Sequence, residues 1–342
     1  MTDQTAQAPF EDAEPEVPPG QNREWNYHPG LPIQTSPIFA WPPRPLAGLR
    51  WLASYWFAIS SVVIEFFLAW GVYALLQPDP EQMKTLALGW AAQIWLRNLA
   101  LLFLVAGGLH LYLYRLKAQG KALKFDAREL AKDNGTYAFR EQVLDNMFWS
   151  VASGVTIWSL YEVMYFWAAA NGFAPMILWA ENPVWFALWF LLIPLWASLH
   201  FYWIHRALHW PPLYRLAHSL HHRNINIGPW TGLSMHPVEH VLYFSSLAIH
   251  FIVPSHPVHV LFHFYNLGLN PAVSHSGFDG LVAKDRKQVD LGDFFHQLHH
   301  RYFECNYGTS EVPWDRWFGS FHDGTPEATA HIRARKRRIM GR

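Results

Sequence analysis

Eleven of the histidines between positions 205 and 300 fall into four short clusters and one single. They read His205-x3-His209, His218-x2-His221-His222, His236-x3-His240, His275, and His296-x2-His299-His300. Residues three or four apart share a helix face, with Cβ atoms roughly 5–6 Å apart, so paired imidazoles can converge on one ion. Neutral imidazole is the commonest metal ligand in proteins. In each His-x2-His-His element the adjacent pair diverges by about 100°, which aims neighbouring rings at different centres. Together the clusters hold more nitrogen than one ion accepts, which predicts a two-metal centre.

Imidazole suits Fe, Zn, Cu or Ni, so ligand type leaves the metal open. Only Glu239 brings a carboxylate into a cluster, whereas zinc hydrolases mix in Asp or Glu, and the helical His-Glu-x2-His signature is absent. An all-nitrogen pair of irons beside a lipid layer fits another chemistry. Taking a hydrogen atom from an unactivated C–H bond is beyond side-chain acids and bases and calls for a metal that activates O2. Two alternatives stand beside this reading. One is a zinc-dependent membrane hydrolase acting through metal-bound water. The other is a histidine-rich metal transporter, whose sites lie near the mid-membrane.

The elements that must position these histidines are apolar. Charged residues make up 15% and aromatics 17% of the 342-residue chain, against a typical charged share of about 25%. Four long apolar stretches, about 51–76, 86–114, 143–170 and 184–204, each reach the ~20 residues that cross a hydrocarbon core. Trp51, Tyr55, Tyr73, Tyr112, Tyr114, Trp167 and Trp185 crowd their ends, as interfacial belts do. Glu65, Arg97 and Glu162 interrupt them and are expected to face the bundle or the interface. The 115–140 loop holds seven Lys or Arg, whereas the loops near 78–85 and 171–183 hold Lys84 alone. Positive residues stay cytoplasmic, so both termini and the histidine region are expected on that side. His205 and His209 continue the fourth stretch past the membrane face.

The expected fold is therefore all-α: an integral membrane bundle of about four transmembrane helices under a cytoplasmic histidine-rich helical cap. Residues 1–50 form a disordered or loosely docked tail, 51–183 the first three spans and basic loop, 184–321 the catalytic domain, and 322–342 a basic tail. The apolar segment 241–265 is cut by Pro254 and Pro257 and reads as a hairpin dipping into the membrane or a platform under the site. Its His250, His256, His259 and His263 are expected at the membrane surface or along a substrate entrance. Tyr27-His28-Pro29-Gly30 has the look of a haem-binding turn but lacks a suitable second axial histidine. Cys305 excludes an intrachain disulfide, fits a reducing compartment and reads as packing. The 26 Lys and Arg balance 26 Asp and Glu, and no nucleic-acid partner is expected.

His205-Arg-Ala-Leu-His209, His218-Ser-Leu-His221-His222, Met235-His236-Pro237-Val238-Glu239-His240, Ser274-His275-Ser276-Gly277 and His296-Gln-Leu-His299-His300 occur in that order. Asn306-Tyr307-Gly308 and Trp314-Asp315-Arg316-Trp317-Phe318-Gly319 follow. Over about 184–321 this set resembles the fatty acid hydroxylase superfamily, also called the sterol desaturase family, of membrane non-haem di-iron oxygenases. The resemblance implies two iron ions (replaceable by zinc in preparations), O2 as co-substrate, a membrane lipid as substrate, and electrons from a separate cytochrome b5- or ferredoxin-like donor with its reductase. It implies His205, His209, His218, His221, His222, His296, His299 and His300 as ligands, completed by His236 and His275, with His240 a weaker candidate. Glu239 is expected to orient a ligand, and Asn306 and Tyr307 to support the site or face substrate. Hydroxylation, desaturation and demethylation all lie within such a family; hydroxylation is the expectation here. The basic groups Arg206, Arg215, Arg223 and the 115–140 loop are the expected docking face for an acidic donor.

Overall fold

Serine, asparagine and proline set where the helices begin. In the computed structural model, which describes residues 25–55 and 60–339, α1 spans Pro45–Tyr55 and α2 spans Ser61–Leu75, capped by the Ser60 hydroxyl. Helix α3 (Leu88–Arg115) and helix α5 (Pro183–Leu208) flank α4, which covers 142–170. The Asn182 side chain accepts from Trp185 N at the start of α5, and Pro183 supplies the first helical residue, where a missing N–H costs nothing.

Among the described residues, α3 and α5 are long and apolar enough to cross a membrane, and α2 is a shorter apolar helix. Helix α4 falls outside that pair because its sequence is diluted by polar residues turned inward: Asn146, Ser150, Ser153, Ser159 and Glu162 are all buried. Their partners are internal. Glu162 pairs with the buried Arg97 of α3, and Asn98 donates to Glu162 Oε2 at 3.0 Å. Glu65 of α2 is likewise buried and accepts from Asn266 Nδ2 at 3.1 Å. Arg97 and Glu162 thus face each other inside the bundle, and Glu65 faces an amide there.

The remaining elements form the cap. Helix α6 covers 211–222; α7 is Pro237–Phe244, α8 Pro257–Gly268 and α9 Asn270–Ser274. An antiparallel pair, β1 (Gly280–Ala283) and β2 (Arg286–Asp290), follows, then α10 (Phe294–Tyr302) and α11 (Pro326–Ile339). The 241–265 segment is a turn and helix rather than a span. Helix α8 is buried from Val258 to Tyr265 and packs between α2 and α5. It forms the floor of the cap.

Several helices carry π-turns, which occur often at functional sites. One in α4 (Ser150–Val155) holds Ser153, and one in α6 (Tyr214–His218) holds His218. The first 24 residues of the expected N-terminal tail lie outside the described residues. From Trp25 onward the chain lies against the cap. Trp25 packs edge-on to Phe294 and under the Arg301 guanidinium, and Asn26 Nδ2 donates to the Lys124 carbonyl at 2.7 Å. His28 meets the Pro29 carbonyl of its own turn and the Phe294 ring.

Candidate metal centre

Two groups of imidazoles emerge where α5, α6, α9 and α10 meet. His205, His209, His218, His222 and His299 form one; His221, His275, His296 and His300 form the other. Within each group every nitrogen used lies within 4.8 Å of the others. Helix periodicity produces the split. From α6, His218 and His222, four apart, point into the five-histidine group, while His221 points into the other. From α10, His296 and His300 enter the four-histidine group, while His299 crosses to the first. Each His-x2-His-His element therefore serves both groups, with ring centroids of adjacent histidines 5.8 Å apart in both cases.

The Nε2 atoms converge closely. His205 to His218 is 3.1 Å, His218 to His209 3.2 Å, His299 to His222 2.9 Å, His296 to His275 3.0 Å and His300 to His275 3.2 Å. Metal–nitrogen bonds of about 2.0–2.1 Å set ligand nitrogens roughly 3 Å apart, which is the spacing seen.

Acceptors behind the rings fix the tautomers. His205 Nδ1 donates to the Tyr307 carbonyl (2.6 Å), His299 to Cys305 (2.6 Å), His300 to Asn224 (2.9 Å) and His275 to Pro271 (2.8 Å). His218 Nδ1 meets Glu239 Oε1 at 2.7 Å, and His209 Nδ1 lies 3.6 Å from Glu304 Oε1. A hydrogen on Nδ1 leaves Nε2 bare, as metal-bound histidines require. Facing bare lone pairs 3 Å apart repel unless a cation lies between them. The donor set therefore fits two metal ions.

Burial reinforces this. It pushes the imidazoles of His218, His222, His296, His299 and His300 well below their usual range, with neighbouring imidazoles adding to the effect. Burial likewise takes His221 down to about 4 and His275 to about 3. Neutral rings at physiological pH are ready to ligate. The same burial raises the Glu239 carboxyl well above the ordinary carboxylate range.

His236 and His240 stand outside both groups. The His236 ring caps α7, accepting from Val238 N at 3.2 Å, so its position serves the helix start. His240 is buried with Nδ1 2.7 Å from Ser153 Oγ, which ties it to the π-turn of α4. Asn306 is spent on the backbone: Nδ2 donates to the Phe295 and His322 carbonyls and Oδ1 accepts from His322 N. Tyr307 contributes its carbonyl to His205 and its ring against His209, while its hydroxyl donates to Glu304. Asp315 accepts from the N–H groups of Tyr307 (2.8 Å) and Gly308 (2.7 Å) and from Ser320. The Asn-Tyr-Gly and Trp-Asp elements are thus a clasp that fixes the carbonyls behind two rings. The Cys305 thiol is buried and makes a long contact with the Leu298 carbonyl.

The histidines of the 241–265 segment form no third group. His250 Nε2 meets His263 Nδ1 at 3.0 Å, His263 Nε2 meets Ser246, and His259 Nε2 donates to the Phe186 carbonyl. All three are fully buried, away from both surface and cavity. His200 meets Ser245 at 3.0 Å.

A cavity of about 870 Å³ opens onto the histidines. His205, His218, His221, His275, His296 and Glu239 close one end, while Leu52, Tyr55, Leu191 and Leu195 line the part between α1, α2 and α5. Its size lies within the range of small-molecule sites. Composition signals none of it.

Comparison with known proteins matches residues 189–320 to the family model described as fatty acid hydroxylase. Among curated relatives, the Delta(7)-sterol 5(6)-desaturase ERG3B of Gibberella zeae is 32% identical over 146 residues, 42% of this chain and 44% of that protein. The Delta(7)-sterol 5(6)-desaturase of Candida glabrata is 31% identical over 180 residues, covering 49% and 47%. ERG3 of Saccharomyces cerevisiae is 36% identical over 121 residues, covering 35% and 32%. The chain thus spans less than half the length of these relatives. No solved structure matches significantly.

Proposed function

Because the chain belongs, through residues 189–320, to the fatty acid hydroxylase and sterol desaturase family, we propose that it is an O2-dependent di-iron oxidoreductase acting on a membrane lipid. The observation that carries this reading is the pair of all-imidazole groups at the end of an apolar cavity. Sterol desaturase relatives support a desaturase or hydroxylase of lipids, and they move the preferred outcome from hydroxylation to desaturation. Both begin by removing hydrogen from carbon, and iron held by these histidines would supply the oxygen activation that this needs.

The chain's own residues do the rest. His205, His209, His218, His222 and His299 would hold one ion, and His221, His275, His296 and His300 the other. The carbonyls of Tyr307, Cys305, Asn224 and Pro271 keep the rings oriented. The apolar walls from Leu191 to Leu195 bring lipid to the ions and exclude water, which shields a reactive centre from side reactions.

Helices α3 and α5, with shorter α2 and the more polar α4, support a four-crossing bundle with the cap on the cytoplasmic side, the side of the basic 115–140 loop. Electrons would come from a separate acidic protein. Arg215 is exposed for such docking, whereas Arg223 is paired with the buried Asp145 and serves the cap instead.

The test is purified protein assayed with O2, a reductase-coupled donor and lipid extract, read by mass spectrometry and metal analysis. Desaturation gives a loss of two mass units, hydroxylation a gain of sixteen, each with bound iron. Lipid hydrolysis without O2 consumption overturns the proposal in favour of a zinc hydrolase.

A further inference from the structure

A carboxyl group inside an apolar helix layer is costly and marks function more often than packing. Glu65, on α2, is 4% exposed. Among the described residues its hydrogen-bond partner is Asn266, near the end of α8, whose Nδ2 donates to Glu65 Oε2 at 3.1 Å. Asn266 is only half-buried because it stands in the cavity wall.

That contact orients the amide. With Nδ2 turned to Glu65, no hydrogen bond engages Asn266 Oδ1 among the described residues, so this oxygen is left to accept from an occupant of the cavity. The second Nδ2 hydrogen is a donor. An amide offering one acceptor and one donor matches an alcohol, which needs both. A fatty carboxylate has no hydrogen to give Oδ1 and would set its own acceptor oxygens against it.

Asn270, at the start of α9, lines the same wall, and His275 closes it. Asn266 stands on α8 and His275 follows α9, with the break at Leu269 between the two helices. A polar group held at Asn266 would thus fix which carbon of an apolar body reaches the histidines.

We propose that the Asn266–Glu65 pair anchors the hydroxyl group of an alcohol-bearing lipid and thereby selects alcohols over carboxylates and ethers. The inference rests on the reading of this cavity as the lipid site. Glu65 acts through Asn266 and is a positioning residue. Interhelical hydrogen bonds also hold membrane helices together, so the test must separate selection from cohesion.

The experiment is equilibrium binding of tritiated cholestanol to the metal-loaded full chain in detergent. Competitors are cholestanol, its 3-O-methyl ether, hexadecanol and hexadecanoate. Each alcohol should displace the label at least about tenfold better than the ether or carboxylate, since a site that hydrogen-bonds an OH rejects analogues lacking it. Asn266→Leu and Glu65→Leu should abolish that preference with metal content unchanged, and Glu65→Gln should keep it. Equal competition by alcohol and ether in the unaltered protein overturns the proposal without any variant. So does failure of cholestanol to bind, or a preference that survives Asn266→Leu. Selective alcohol binding with no lipid oxidised under any donor would sink the oxidoreductase reading alone.

Discussion

Glu239 Oε1 accepts the Nδ1 hydrogen of His218 at 2.7 Å, both groups being buried. Among the described residues this is the one carboxyl group that directly backs a ring of the five-histidine group at hydrogen-bond distance; the other rings so held use carbonyls. Removing such a backing partner typically costs 10–100-fold in metal affinity. Glu239→Ala should therefore weaken metal retention by about that factor, read by competition with a graded chelator. Glu239→Gln keeps an acceptor oxygen and should lose much less. Equal retention in Glu239→Ala and the unaltered protein would refute the role.

The divided ligand set predicts divided losses. His222→Ala removes a ring from the five-histidine group and His300→Ala one from the other, so each should lower bound metal toward about half. His218→Ala belongs with His222→Ala. Each should abolish turnover, and the double variant should be no worse than either single one, because ligands act as a unit. His236→Ala and His240→Ala should keep the full metal content, since their rings cap α7 and bind Ser153. Elemental analysis of the five variants decides the division. Loss of metal in His240→Ala would return it to the ligand set.

How much of this is legible in the sequence follows from which atoms carry it. Imidazoles at three- and four-residue spacing announce themselves, and the divergence of adjacent pairs anticipates two centres. The backing carbonyls of Cys305, Asn224 and Pro271 leave no trace, because every residue has a carbonyl. His236 and His240 have helical spacing too, yet Pro237 starts a new helix at His236, which turns that ring to the helix end. Asn306 and Tyr307 stand out as a motif, but the N–H groups of Tyr307 and Gly308, held by Asp315 seven or eight residues on, supply the reason. Asn266 and Glu65 are 201 residues apart, and only the tertiary fold brings them together.

The apoprotein should be acid-labile. Burial holds His221 near 4 and His275 near 3, against about 6.5 in an unfolded chain. Below pH 6.5 the unfolded chain therefore binds protons that the folded one refuses, and folding stability drops as pH falls toward those values. It is fully present above that range. Each such group contributes up to about 1.4 kcal/mol per pH unit, so the melting temperature of metal-free protein should fall clearly between pH 7 and pH 5. A flat profile over that interval would mean that these rings are not held neutral by burial.

Gly232 tests the positioning of His275 from a distance. A Cβ there would press into the Pro271 carbonyl and lie 2.8 Å from Ala272 N, both backbone groups of α9 that cannot swing aside. The same Pro271 oxygen receives the His275 Nδ1 hydrogen at 2.8 Å. Gly232→Ala should thus push α9 away, cost about 1–3 kcal/mol of stability from overpacking and loosen the four-histidine group. Gly89→Ala, in open space on α3, is the control and should leave both properties intact. Thermal unfolding and metal content of the two variants, measured side by side, separate the two outcomes. Gly232→Ala retaining all its metal at an unchanged melting temperature would show that α9 tolerates the displacement and that this close approach does not set the ring.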